Sequence, residues 1–277
     1  MRSILAEPAT LRNRPLAPAL ASLQRLGVRA GALYALAGLT LLVLVWSLCA
    51  RLLESSVPLA AALAPGATFQ SLYQLVFSGE LNSHAVMSLQ RVLTGLVLAL
   101  MIGVPVGLAV GSSRLAESLS GAAFQFLRMI SPLSWMPIAV MVFGIGDAPI
   151  YFLLTFAAVW PIMLNTAAGV RQLDTRWLML ARSLSATRGE VLLRIVAPGI
   201  LGHVLTGVRL AIGIIWIVLV PCEMLGVSSG LGYYILDTRD RMAYSELMAV
   251  IVLIGALGFV LDTAAQRAYR RWARRPA

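Results

Sequence analysis

Apolar residues along the chain gather into runs long enough to cross a bilayer, separated by short stretches rich in charge, glycine or proline. A hydrocarbon core about 30 Å thick needs about 20 apolar residues in helical conformation. Six runs meet that length, at residues 31–52, 86–110, 119–143, 149–170, 202–225 and 246–265. The pattern predicts an all-α polytopic membrane protein with about six transmembrane helices. Pro105, Pro132, Pro137, Pro161 and Pro221 fall inside these runs, and membrane helices accept proline where neighbours satisfy the freed carbonyls. The third run, with two prolines and Arg128, is the least regular.

Outside the runs, two segments carry helical periodicity. Leu173, Trp177, Leu180, Ala181 and Leu184 recur at helical spacing, as do Val191, Leu192, Ile195 and Val196. Ser185 to Gly189 reads as a break and Pro198-Gly199 as a stop, so two short amphipathic helices are expected there. From Pro58 to Gly79, Pro65-Gly66 opens a stripe of Phe69, Leu72, Tyr73 and Val76, predicting an amphipathic helix at the outer interface. Gly103, Gly107 and Gly111, spaced by four, predict a close helix crossing.

Composition sharpens this picture. Of 277 residues, 59% are hydrophobic and 12% charged, with mean hydropathy +0.85, which excludes an ordinary soluble globule. All 22 basic residues are arginine, against 12 acidic ones, for a net charge of +10. Without lysine there is no P-loop lysine and no Schiff-base amine, so any nucleotide energy has to come from a partner.

The arginines also set an expected orientation, since short cytoplasmic loops retain Lys and Arg. With the N-terminus inside, 16 of the 22 fall on the cytoplasmic side, and Arg51, Arg239 and Arg241 on the other. Arg91, Arg128 and Arg209 lie within or at the edge of spans. The expected organisation is a cytoplasmic tail at 1–30, a transmembrane domain at 31–265 with a cytoplasmic loop at about 171–198, and an Arg-rich cytoplasmic tail at 266–277. The charge then marks topology, and no nucleic-acid partner is expected.

Candidate chemistry is sparse. Cys49 and Cys222 lie in apolar stretches, and His84 and His203 are far apart, so neither a disulfide, a metal site nor a catalytic residue is expected. Gly226-Val227-Ser228-Ser229-Gly230 matches the hydrolase nucleophile pattern in letters but lacks its strand-turn-helix context. It reads as an external loop. Arg91, Arg209 and Glu223 are ionisable groups in or near apolar spans. They either line an anion path or pair between helices and snorkel, with Arg209 the best single candidate for the path.

The run Ala181-Arg182-Ser183-Leu184-Ser185-Ala186-Thr187-Arg188, followed by Arg194-Ile195-Val196-Ala197-Pro198, resembles the EAA loop of type I ABC importer permeases. Ser88 to Gly95, Ser131-Pro132-Leu133-Ser134-Trp135-Met136-Pro137-Ile138, Phe143 to Gly146, Trp160 to Thr166 and Glu223 to Tyr233 are similar to the nitrate/sulfonate/taurine branch of that family. Three positions depart from the pattern: Met179 for glutamate, Ser185 for glycine and Ala197 for leucine.

The resemblance implies the MetI-like fold of type I ABC importer permeases, a bacterial inner-membrane location and a path for a small anion. It implies docking of residues 181–188 on an ABC ATPase dimer, which binds the ATP, so that this chain carries no cofactor. Further implied partners are a second permease copy, most simply a homodimer, membrane lipid, and a periplasmic or lipid-anchored substrate-binding protein. Arg209, Glu223, Arg91, Ser131, Ser134 and Asn165 become candidate path residues. The rival reading is an ion-coupled secondary transporter or channel, which calls for intramembrane carboxylate or histidine relays and inverted repeats. Only Glu223 is available for such a relay, and no internal repeat is visible.

Overall fold

The structure is a computed structural model that describes residues 17–54 and 58–273. Residues 1–16 and 274–277, the outermost parts of the two expected tails, lie outside the described residues. The chain divides into two units at Pro65. The first holds helix α1 (Ala17–Glu54) and a 3-10 turn at Pro58–Ala61, with the Trp46 indole N–H donating to the Leu63 carbonyl at 3.0 Å. Helix α1 starts well before residue 31 and carries an apolar window at Leu36–Glu54, long enough to span a bilayer and only 6% buried within the chain.

The second unit contains α2 (Pro65–Ser78), α3 (Glu80–Ser112), α4 (Arg114–Met129), α5 (Met136–Phe143) and α6 (Asp147–Arg171). It continues with α7 (Thr175–Ser183), α8 (Arg188–Val191), α9 (Ala197–Gly226), α10 (Leu231–Asp240) and α11 (Tyr244–Ala273). Helix α6 is the centre: 61% of its apolar window is buried, against 28% for α3 and 11% for α11. It lies between α3 and α9, and small residues set how closely. A Cβ on Gly107 would stand 2.6 Å from the Met163 carbonyl oxygen, and one on Gly111 2.8 Å from that of Ala167. Across the other face, a Cβ on Gly207 would stand 2.9 Å from the Pro161 carbonyl. The four-residue glycine spacing on α3 is therefore a packing seam against α6.

Among the described residues five helices are long and apolar enough to span a bilayer, and α4 with the segment Pro132–Phe143 makes a sixth candidate bent by 87°. The third apolar run is thus broken, with a 3-10 turn at Pro132–Trp135 between its halves. Pro132 and Pro137 account for the break, since each lacks an amide donor and Pro132 disfavours helical geometry at the residue before it.

One sequence expectation is corrected. Pro198 does not stop a helix: Arg188–Gly226 runs on through a π-turn at Leu192–Val196, where the Ala197 N–H reaches back to the Leu192 carbonyl. The widened turn accommodates the proline ring and its missing donor, as single π-turns inside helices do. Helix α2 forms where the sequence places an amphipathic helix, and the Phe69, Tyr73 and Val76 side chains of its apolar stripe are exposed. The buried face is Thr68, Ser71 and Leu75, and Leu75 joins Leu81, Leu231, Tyr234, Ala249 and Val250 in a second apolar cluster.

Candidate functional site

At one end of the bundle, the start of α3, the start of α6 and the end of α9 converge on a buried charged cluster. Arg91 and Glu223 are 1% and 0% exposed, with Nη1 2.7 Å from Oε1. The guanidinium makes four hydrogen bonds and two ion-pair contacts. Nε reaches Asp147 Oδ1 at 2.8 Å and Nη2 the same oxygen at 2.7 Å. Nη1 also donates to the Ser229 carbonyl at 2.7 Å, and Nη2 to the Ser229 hydroxyl at 3.0 Å. Around Glu223, the Ser88 hydroxyl donates to the carboxylate at 2.8 Å and the Gly232 N–H donates to Oε2 at 2.9 Å. Ser88 in turn accepts from the Leu231 N–H at 2.9 Å. Charges taken out of water are tolerable only with such complete pairing.

Local sequence explains how the cluster is assembled. Ser88 and Arg91 sit three apart on α3 and share a face. Gly144 and Gly146, at φ 78° and 131°, make the tight turn that brings Asp147 to the first turn of α6, where a carboxylate also complements the helix dipole. Gly230, at φ 110°, leaves room: a Cβ there would stand 2.5 Å from Arg91 Nη1 and from Glu223 Cδ. Its N–H donates to His84 Nδ1 at 3.1 Å, and the Tyr234 hydroxyl donates to Glu80 at 3.2 Å. A mouth of about 440 Å³ lies over the cluster, walled by Ile145, Gly146, Asp147 and Val227 to Ser229.

Sequence reasoning singled out Arg91 and Glu223 with interhelical pairing as one of two readings, and it missed Asp147 altogether. The available signal was the lone aspartate directly after Gly144-Ile145-Gly146 at the head of an apolar run.

At the opposite end, the 181–188 segment is a helix–turn–helix fixed by its own hydrogen bonds. The Ala186 N–H bonds the Ala181 carbonyl at 3.0 Å and the Ser185 N–H that of Arg182 at 3.0 Å. With Ser185 left-handed at φ 53°, this is a Schellman ending to α7. Thr187 then opens α8 through a reciprocal capping box with Glu190. Ala181 is buried and Ala186 half-buried, while Arg182, Ser183, Leu184, Ser185, Thr187 and Arg188 are exposed. Of the predicted apolar stripe, Leu173 turns inward, whereas Trp177, Leu180 and Leu184 stay exposed. Behind the turn lies a groove of about 800 Å³, walled by Leu108 and Ser112 of α3, Val170 of α6, and Leu178, Arg182 and Leu192 of the loop.

The remaining candidates are dispersed. Ser131 and Ser134 are exposed in the turn between α4 and α5. Asn165 packs where α6 meets Gly207 of α9, and its amide donates to the Pro161 carbonyl at 2.8 Å. Arg209 is about two-fifths exposed on α9, its Nε 3.7 Å from Asp262 Oδ1 on α11. His203 packs against Gly169.

Comparison with known proteins places this arrangement. Residues 95–276 match the family described as binding-protein-dependent transport system inner membrane component. The chain is 36% identical over 197 residues to the bicarbonate transport system permease protein CmpB of Synechococcus elongatus, covering 69% of this chain and 70% of that one. It is 34% identical over 188 residues to the nitrate import permease protein NrtB of the same species, covering 67% of each. A putative ABC transporter permease of Methanocaldococcus jannaschii is 32% identical over 224 residues, covering 80% of this chain and 84% of that one.

Among solved structures, an amino acid ABC transporter with histidines aligns with TM-score 0.56 at 15% identity, covering 74% of this chain and 98% of that one. The inward-facing MetNI methionine ABC transporter aligns with TM-score 0.52 at 19% identity, covering 66% and 92%. These two likenesses establish the fold as that of type I ABC permeases. With the family match spanning most of the chain, this multi-pass inner-membrane protein belongs to the binding-protein-dependent transport system inner membrane components, the permease subunits of ABC transporters, and is a transport subunit rather than an ATPase.

Proposed function

We propose that the chain forms the translocation path for a small oxyanion of the nitrate or bicarbonate class in an ABC importer. The observation that carries the substrate class is its likeness to bicarbonate and nitrate permeases over about two thirds of both chains. Residues Ala181 to Arg188 are the surface that a separate ATPase moves. Exposed Trp177, Leu180 and Leu184 beside a hydrogen-bonded turn support that role, since rigid elements transmit displacement and apolar side chains bind. The loop end is then cytoplasmic, both termini lie on that side, and the charged cluster lies at the outer end.

In this scheme two permease copies, an ATPase dimer that binds ATP and a periplasmic or lipid-anchored binding protein complete the transporter. Arg91 and Glu223 act as the outer clamp that holds α3, α6 and α9 together. Ser131, Ser134, Asn165 and Arg209 are assigned to the path of the anion in this reading.

The test is ATP-dependent uptake into liposomes holding the complex with its cognate ATPase and binding protein. Labelled nitrate, bicarbonate and taurine are compared with neutral solutes of similar size. Uptake of nitrate or bicarbonate supports the reading, and taurine uptake would move the substrate to the sulfonate class. Transport confined to neutral or cationic solutes would overturn it.

A further inference from the structure

Besides Arg51 at the end of the first apolar run, three arginines lie in the apolar spans, and the structure separates them. Arg91 makes ion pairs with Asp147 and Glu223 and further hydrogen bonds to Ser229, and Arg209 faces Asp262. Arg128 donates to the Gln125 side-chain oxygen at 3.1 Å, and among the described residues no carboxylate stands within ion-pair distance of it. An arginine at membrane depth without an acid partner snorkels to an interface or faces water or a passing anion.

Its surroundings point to water or an anion. Arg128 lies in the last turn of α4, just before the 87° break. Interrupted backbone at membrane depth persists only where protein covers it or it lines water, and here Ser131 and Ser134 are exposed. Helix α4 climbs alongside α6, since Phe124 packs on Trp160 with ring centroids 5.8 Å apart. It turns Glu117, Ser120, Gln125 and Arg128 onto a small cavity of about 110 Å³ that Leu164 and Arg171 of α6 complete. Glu117 pairs with Arg171, so Arg128 is the surplus positive charge. Leu164 stands seven residues from the end of α6, roughly 10 Å into the span.

We propose that Arg128 is the cation that engages the anion in transit, at the break between α4 and α5. Nitrate and bicarbonate are planar and trigonal, presenting two coplanar oxygens to the two parallel N–H groups of a guanidinium, a match a lysine ammonium lacks. The Gln125 amide stands beside it as a further polar group. This assignment rests on the oxyanion reading above and adds to it the contact and the geometry selected.

The experiment uses the complete complex in liposomes, measuring labelled nitrate or bicarbonate taken up per ATP hydrolysed for wild type, Arg128→Gln and Arg128→Lys. Arg128→Gln is expected to lower that ratio about tenfold or more, with stimulation of ATP hydrolysis by loaded binding protein kept within about twofold. Arg128→Lys is expected to lie between the two, because it keeps the charge and loses the fork. Wild-type ratios in both variants would overturn the assignment while leaving the oxyanion reading intact. A wild-type complex that moves only neutral solutes would defeat that reading, and this assignment with it. Should Arg128→Gln fail to assemble, Arg128→Lys decides: an unchanged uptake ratio overturns the proposal and a lowered one supports it.

Discussion

Gly230 stands against the Arg91–Glu223 pair so closely that a single added carbon would lie 2.5 Å from both Arg91 Nη1 and Glu223 Cδ. The left-handed glycine at φ 110° is the lid of the buried cluster, and its absent side chain is what lets the loop from Val227 to Gly230 close over two charges. Gly230→Ala is expected to force the pair apart and strain the backbone together. Its thermal unfolding in detergent should fall by the equivalent of about 1–3 kcal/mol; an unchanged midpoint would remove the lid role.

Breaking the pair from one side leaves the partner charge buried and alone. Glu223→Gln and Arg91→Met should each destabilise the protein by about 3–5 kcal/mol, and the double variant by clearly less than their sum. Additive losses in a double-mutant cycle would mean that the two side chains act independently. Asp147 retains some solvent contact, its side chain being 38% exposed, so Asp147→Asn should cost less than Glu223→Gln.

The α3–α6 seam predicts a graded response to volume. Gly107→Ala puts a methyl 2.6 Å from the Met163 carbonyl oxygen and 2.7 Å from Thr166 Cβ, a clash with backbone that rotamers cannot relieve. It should cost about 1–3 kcal/mol. Gly121→Ala, where nothing lies within 4 Å of the added carbon, should be neutral or stabilising within about 1 kcal/mol. Equal melting points for the two would argue against the close crossing.

Much of this was legible beforehand, and the exceptions have physical causes. Length of apolar run located the spans, and four-residue glycine spacing located the seam, because both depend on local spacing alone. The break in the third run was only hinted at by Pro132 and Pro137, since proline is tolerated in other spans such as at Pro161 and Pro221. Pro198 was misread as a stop because the π-turn that absorbs it depends on backbone geometry rather than residue type. Asp147 escaped notice because its partner Arg91 is 56 residues away in sequence, and no periodicity connects them.

Ser185 is the one clear mismatch between residue and backbone in the loop. A serine at φ 53° carries a left-handed strain of about 1 kcal/mol that glycine avoids. Ser185→Gly should therefore stabilise the turn by about that amount, whereas Thr187→Ala, which removes the cap on α8, should destabilise it by about 1 kcal/mol. Hydrogen exchange of the Ser185 and Ala186 amides reports both, and opposite signs are expected.

The loop also decides the central question of whether force from a separate ATPase enters through residues 181–188. In the complete reconstituted complex, those eight residues are replaced by a Gly/Ser linker and ATP hydrolysis is measured with and without loaded binding protein. Loss of stimulation in an otherwise assembled complex is the result predicted for a subunit driven through this segment. Full substrate-stimulated hydrolysis would contradict it.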